Sequence, residues 1–394
     1  MELFMDSTKI KSNPIYLDYH STTPTDARVA NLMLRYMTDT FGNASSVDHT
    51  YGDDAAAAIS QAKHHIAELV GASSKEIIFT SGATESINLA IRGTITNQSC
   101  PRIAVSPVEH EAVIDTCQTL EKQGAVELVY LQVDERGRID FQHLESLCAN
   151  GLSLLCVMAA NNEIGNIYFI EKIGAIAQKY NVPFFCDASQ AVGKIPIRFH
   201  QWNITLLAIS AHKLYGPKGC GALVVRKGYQ LEPLLYGGKH QKGLRSGTLN
   251  VPAIVGFGEA CRLRYQEMDT DEPAIAKRRD CLQSLLQQSF PDLVVNGDLD
   301  NRLAGNLHIA LPNIPNDAVI ARIRDRLAIS TGAACSSGVE TPSHVLRAIG
   351  LPENFIDGAL RIGIGKFTTD ADIETAAQIL TEEIVKIRQL LANT

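Results

Sequence analysis

Lys213 closes the tetrapeptide Ser210-Ala211-His212-Lys213, directly after the apolar run Leu206-Leu207-Ala208-Ile209 and just before Gly216-Pro217-Lys218-Gly219. An amine at the end of a buried strand is kept from full hydration, which lowers its pKa and leaves it free to attack a carbonyl carbon. A strand-end lysine pointing into water is the plain alternative, and the tetrapeptide alone leaves both readings open. Asp187 ends a second run, Val182–Cys186, and precedes Ala188-Ser189-Gln190. A buried carboxylate there needs a partner, which a protonated pyridine nitrogen supplies; a helix-capping Asp is the alternative. Thr80-Ser81-Gly82-Ala83-Thr84-Glu85 comes after a third run, Glu76–Phe79, and opens a helical pattern. Its small residues let backbone N–H groups face an anion, although an ordinary N-cap reads the same way.

The three together say more than each alone. Strand ends of α/β sheets face a common ligand crevice. A Schiff-base lysine, a carboxylate for a pyridinium nitrogen and a phosphate anchor are what pyridoxal 5'-phosphate (PLP) requires. His110, in Val108-Glu109-His110-Glu111, also comes after a strand-like run and could stack on an aromatic cofactor and exchange protons, or bridge surface groups. Asn162, in Asn161-Asn162-Glu163-Ile164-Gly165, could bond a cofactor oxygen or a substrate carboxylate, with an Asx turn as the alternative. Arg361 is a lone charge within Leu360-Arg361-Ile362-Gly363 and suits a bidentate carboxylate such as an amino acid offers, or an internal salt bridge.

The elements that must position these groups are readable in outline. The chain has 394 residues, 45% hydrophobic and 20% charged, enough for a large core and two domains. Runs at Glu76–Phe79, Arg102–Val105, Leu128–Gln132, Leu154–Met158, Val182–Cys186 and Thr205–Ile209 alternate with helical patterns at Asp53–Val70, Ser86–Ile91, Ala112–Lys122 and Glu171–Lys179. Such alternation predicts parallel βα units, with Gly221–Val225 returning antiparallel after a tight turn. After Val251 the pattern changes to helices at Ala253–Met268 and Ala274–Ser289, then strands near Leu293–Asn296, Asn306–Ala310 and Ala328–Ser330, then helices at Ser343–Ala348 and Asp370–Leu391. That reads as an α+β domain following an α/β domain. Gly237–Gly247 reads as a long polar loop.

Net charge is −7, which argues against nucleic acid as a direct partner, and no apolar stretch is long enough to predict a membrane span. The N-terminus carries no signal-peptide pattern, so a cytoplasmic protein is expected. Nine cysteines, with no Cys-x-x-Cys pair, fit a reducing compartment and neither a disulfide framework nor a metal site. Cys335 differs from the rest, lying in the small-residue stretch Ser330-Thr331-Gly332-Ala333-Ala334-Cys335-Ser336-Ser337-Gly338.

The ordered motifs resemble the class V, fold-type I PLP enzymes, specifically the cysteine desulfurases of the IscS/NifS type. The resemblance runs from Tyr16-Leu17-Asp18-Tyr19 and Thr22-Thr23-Pro24 through Phe41-Gly42-Asn43, the Thr80 to Glu85 segment, Glu109-His110, Asn161 to Gly165, Ser210-x-His212-Lys213, Arg245-Ser246-Gly247-Thr248 and Gly332-x-x-Cys335-x-Ser337, to Phe367-Thr368-Thr369. It implies a large domain over 15–260 with a mainly parallel seven-stranded sheet. It also implies a smaller α+β domain made of 1–14 with 261–394, whose loop over about 330–342 carries the catalytic cysteine.

By the same resemblance Lys213 forms the Schiff base, Asp187 pairs with the pyridinium nitrogen, His110 stacks over the ring and Gln190 bonds the phenolic oxygen. Ala83, Thr84, Ser210 and His212 bind phosphate, and Thr248 comes from the partner subunit of a homodimer. Asn162 and Arg361 hold the substrate carboxylate, and Cys335 takes the sulfur as a persulfide. The implied reaction turns L-cysteine into L-alanine and delivers sulfur to an acceptor protein, for iron–sulfur cluster assembly or another route such as DNA phosphorothioation. Another PLP-dependent C–S or C–Se lyase of the same fold is the alternative, and a sulfur-relay protein without catalysis is a third. Ala333, Tyr168-Phe169 and His20-Ser21 depart from the residues commoner in the family. The sequence ends at Leu390-Leu391-Ala392-Asn393-Thr394, without the longer tail with which IscS-type enzymes engage their scaffold, so a different acceptor is an open expectation.

Overall fold

Apolar runs separated by helices assemble into one central sheet. The computed structural model describes residues 13–96, 100–331 and 342–393. Ala333 and Cys335 lie outside the described residues. In chain order the first part comprises β1 (Ile15–Tyr16), α1 (Ala27–Thr38), α2 (Thr50–Val70), β2 (Ile77–Thr80), α3 (Ala83–Ile95), β3 (Arg102–Val105), α4 (Glu111–Lys122) and β4 (Glu127–Tyr130). Next come α5 (Phe141–Ala149), β5 (Leu154–Cys156), α6 (Ile170–Lys179), β6 (Phe184–Asp187), β7 (Leu206–Ser210) and β8 (Gly221–Val225). The second part comprises α7 (Val251–Ser289), β9 (Val294–Val295), β10 (Asn306–Ala310), α8 (Asn316–Ile323), β11 (Leu327–Ala328), α9 (His344–Ala348), α10 (Glu353–Ile356), β12 (Ala359–Gly363) and α11 (Asp370–Ala392).

The seven-stranded sheet has the order β2-β8-β7-β6-β5-β3-β4. All neighbours pair parallel except β8, which runs antiparallel to β7 and β2. Helices cover both faces, so the central strands are apolar throughout rather than alternating. The period of two still sorts their side chains. Leu207 and Ile209 of β7 enter one core with Phe184 and Cys186, while Leu206 and Ala208 enter the core on the opposite face with Phe185 and Cys156. A three-stranded antiparallel sheet, β12-β10-β9, sits on a third core in which Leu307, Ile309, Leu360 and Ile362 meet Leu282, Leu286, Leu380 and Ile384.

Where the sequence predicts two helices, Ala253–Met268 and Ala274–Ser289, one continuous α7 runs through Pro273. Proline removes one helical N–H bond, and here side chains on the same helix hold the turn that it weakens. The fully buried Arg264 guanidinium binds Asp271 and, at 2.9 Å, Glu272, the two residues before the proline. Its Nε also donates to the Gly193 carbonyl at 2.7 Å, fixing this turn to the large sheet's side of the molecule. The expected division at 260/261 falls inside α7, whose Phe257 and Cys261 pack in the first core and whose Ile275 and Leu282 pack in the third. We propose a two-lobed division with α7 as the shared joint.

Candidate active site

Three strand ends converge at the carboxyl edge of the central sheet. The strands β2, β6 and β7 finish at Thr80, Asp187 and Ser210, and the segments just beyond them line one cavity of about 800 Å³. Its walls include Ala83, Thr84, His110, Asn162, Asp187, Gln190, Ser210, His212, Lys213 and Arg361. Of the residues singled out from the sequence, Thr248 is exposed and does not line the cavity, and Cys335 lies outside the described residues.

Lys213 ends a short helical turn after β7 and is half-buried. Its Nζ donates to the carbonyls of His20 and Ser21 at 2.6 and 2.7 Å. Burial, with Lys194 and Arg361 adding like charge, lowers its pKa to about 7, while Asp18 and Asp187 act in the opposite sense. A sizeable fraction of the amine is therefore unprotonated near neutrality.

Asp187 is only 5% exposed, and one carboxylate oxygen accepts from the Ser189 N–H at 2.9 Å and the Ser189 hydroxyl at 2.6 Å. The N-terminus of α3 begins at Gly82 with no side-chain cap, leaving the first-turn N–H groups of Ala83 and Thr84 for an anion. A Cβ on Gly82 would meet no atom within 4 Å, so the glycine keeps that part of the cavity open. His212, opposite, binds the Thr22 hydroxyl through Nδ1 at 3.1 Å, and burial together with Lys213, Lys218 and Lys194 lowers its pKa to about 4.

His110 is the N-cap of α4. Its Nδ1 accepts from the Ala112 N–H at 3.0 Å, which leaves Nε2 as the proton-bearing nitrogen of the neutral ring. The ring is open to the cavity yet surrounded by protein, and this desolvation lowers its pKa, with Lys213 adding to it and Asp187 opposing.

Arg361 projects from β12. Its Nη2 lies 2.8 Å from the Ser21 hydroxyl and 3.2 Å from both Asp18 Oδ1 and Ser330 Oγ, and its Nη1 donates to the Asn162 carbonyl at 3.2 Å. Its buried Nε has no partner among the described residues. The salt bridge that stood as the alternative reading of Arg361 is thus present, with Nε–H and one Nη1–H not used by the contacts named. The Asx turn in this segment is made by the neighbouring Asn161, whose side-chain oxygen accepts from the N–H groups of Glu163 and Ile164, while Asn162 lines the cavity.

The sequence does not single out several residues that support these groups. Asp18, Ser21 and Ser330 orient Arg361, and Ser189 orients Asp187. Glu163 accepts from the Ser343 hydroxyl at 2.5 Å, and burial raises its pKa. Only the Asp187–Ser189 pair has a local signal, a hydroxyl two residues after the carboxylate. The others meet across long stretches of chain, 343 positions in the case of Arg361 and Asp18.

Residues 15–375 match the model of the aminotransferase class-V family. The cysteine desulfurase IscS of Anaeromyxobacter dehalogenans (strain 2CP-C) is 41% identical over 381 residues, covering 96% of this chain and 94% of the relative. A solved NifS-like protein superposes with a TM-score of 0.87 at 32% identity, covering 94% of this chain and 98% of the other. SspA, solved in complex with cysteine, gives 0.79 at 35% identity, covering 90% and 99%. No helix among the described residues is long and apolar enough to cross a membrane. The chain is a member of the class-V aminotransferase family and, within it, of the cysteine desulfurases.

Proposed function

We propose that the chain binds PLP in the 800 Å³ cavity and converts L-cysteine to L-alanine, passing the sulfur to Cys335 and then to an acceptor protein. The observation that carries this reading is the desolvated Lys213 amine, facing the same cavity as Asp187, His110, the uncapped α3 terminus and the incompletely paired Arg361.

The residues fit PLP. The α3 N-terminus, Ser210 and His212 would hold the phosphate, Asp187 would pair with the pyridinium nitrogen, Gln190 would reach the phenolic oxygen and Lys213 would carry the Schiff base. PLP, when bound, supplies an electron sink that makes the substrate Cα proton acidic and weakens the C–S bond. Arg361, which lines the cavity, binds the substrate carboxylate beside the Asn162 backbone and so orients Cα. Lys213 Nζ can hold the Cα proton once unprotonated, and His110 Nε2 offers a second proton-carrying atom at the wall. The Cys335 thiolate takes the sulfur: one C–S bond breaks, one S–S bond forms, and alanine leaves with its Cβ reprotonated. Ser330 and His344, which flank that segment on either side, both line the cavity.

The exposed Thr248 is assigned to the cavity of a second copy, giving a homodimer with shared sites. All eight described cysteines are unpaired, which supports a reducing compartment and the cytoplasm as the location. Delivery for iron–sulfur cluster assembly, or for another sulfur-using route, follows from the persulfide chemistry. The test compares wild-type protein with Cys335→Ala on L-cysteine with a dithiol reductant. Equal amounts of alanine and sulfide from the wild type, and neither from a variant that still binds PLP, support the reading. Pyruvate and ammonia in place of alanine, or full activity in the variant, would assign a C–S lyase instead.

A further inference from the structure

We propose that Lys194, which does not line the PLP cavity, is a positioning residue: it fixes the Gln190 amide so that an N–H, and not the carbonyl, faces the cofactor. The inference rests on the reading of the cavity as a PLP site.

Three contacts settle the amide's orientation. Gln190 Oε1 lies 2.9 Å from Lys194 Nζ and 3.2 Å from His20 Nδ1, and Gln190 Nε2 donates to the His20 carbonyl at 2.8 Å. Turning the amide over would set its NH₂ against an ammonium and a ring N–H, three donors with no acceptor. Both lone pairs of Oε1 are spent in the observed orientation. The remaining capacity of Gln190 is its second Nε2–H, on a side chain that is 4% exposed and lines the cavity.

His20 makes the arrangement self-consistent. Burial, with Lys194 and Arg361 nearby, holds the ring neutral, so it carries one N–H. In the observed orientation Nδ1 donates to Oε1, while the Gly305 carbonyl also acts on the ring. The His20 carbonyl also accepts from Lys213 Nζ, so the amide and the Schiff-base lysine share one acceptor. Reversal at Gln190 would set its NH₂ against the Lys194 ammonium, whereas the neutral His20 ring can exchange tautomers to accept it. Lys194 is therefore the lock.

An N–H aimed at the phenolic oxygen of PLP favours its anionic form, and so lowers the pH at which the Schiff-base nitrogen gives up its proton. Lys194 also lies close enough to act on Lys213 through space, together with Arg361, Asp18 and Asp187. Two variants separate the effects. Lys194→Met removes both charge and donor, whereas Lys194→Gln removes the charge and keeps a donor.

The readout is the Schiff-base absorbance of PLP-loaded protein titrated with pH. Lys194→Met should raise the midpoint by about one unit, a tenfold change, while Lys194→Gln stays within about 0.3 units of wild type. Equal shifts in both variants would show a through-space charge effect and overturn the proposal, as would no shift in either. Gln190→Glu serves if Lys194→Met does not fold: replacing the free N–H by an acceptor must raise the midpoint, and an unchanged midpoint overturns the proposal. Wild-type protein that forms no Schiff-base band would instead remove the PLP reading itself.

Discussion

Arg361→Lys tests the substrate-carboxylate site most sharply, because it preserves the charge and removes the planar fork. Arg361 is 7% exposed and spreads its donors over Asp18, Ser21, Ser330 and the Asn162 carbonyl, with Nε left over. A lysine ammonium has three donors on one atom and cannot serve Asp18 and Ser21 while also presenting two parallel N–H groups to a carboxylate. The loss is then one charge-assisted hydrogen bond to substrate, about 1.5–3 kcal/mol. That corresponds to a KM for L-cysteine raised by roughly 10- to 150-fold, since about 1.4 kcal/mol is a factor of ten. The carboxylate is bound alike before and during the chemistry, so kcat should change by less than about threefold. The assay is initial-rate alanine formation over a range of L-cysteine concentrations, with the PLP absorbance band confirming a loaded site. A KM within about twofold of wild type, with the band intact, would refute the carboxylate role. A fall in kcat alone would place Arg361 in the chemistry instead.

Burial and packing carry two more expectations. Burial lowers Lys213 to about 7, whereas an unfolded lysine titrates near 10.4, so between those values the unfolded chain binds more protons and PLP-free protein must gain stability as pH rises. Urea midpoints at about pH 7.5 and 9.5 should diverge between wild type and Lys213→Met, with wild type gaining more; parallel midpoints would show that the amine is not desolvated. Gly258 of α7 lies against α2, and a Cβ there would stand 2.5 Å from Ala62 Cα. Gly258→Ala should cost about 1–3 kcal/mol, read as a lowered thermal midpoint without a change in the KM of the folded fraction.

The parts legible in sequence are those whose signal is local. The strands β3, β8 and β10 fall where Arg102–Val105, Gly221–Val225 and Asn306–Ala310 predict them; β3 and β8 of the large sheet are mostly apolar, as burial on both faces asks, while β10 holds its buried Asn306 and His308 by hydrogen bonds to Glu163 and Asn296. Other strand ends shift by one or two residues, as with β2 and β6, since propensity does not mark where a ladder stops. The strand β12 escapes notice because Arg361 interrupts its apolar run, and it tolerates the buried charge because Asp18, Ser21 and the Asn162 carbonyl bind the guanidinium. Helix α1 carries a clear amphipathic stripe, Val29, Leu32, Met33 and Tyr36, which packs on the first core and is legible at helical spacing. The support for the site is hidden for a different reason. His20, Asp18 and Ser21 act on Gln190 and Arg361 through contacts spanning some 170 and 340 positions, and no spacing rule reaches that far.

The charge pattern of the cavity gives these separate contacts one logic. Lys213, Lys218 and Arg361 line the cavity together with Glu85, Glu111, Glu163 and Asp187, and repulsion among the cations, with Lys194 behind the wall, helps depress Lys213 and His212. An anionic ligand beside these cations would relieve that repulsion. The phosphate of PLP and the carboxylate of an amino acid are two anions that would reach the two ends of the cavity, the α3 terminus and Arg361. Each would raise the proton affinity of the groups around it, so ligand binding and protonation are coupled here by necessity. A neutral Lys213 amine then belongs to the state in which those anions are absent or balanced. In that light the Lys194–Gln190 lock has a clear place, as a fixed neutral donor to the phenolic oxygen of the cofactor.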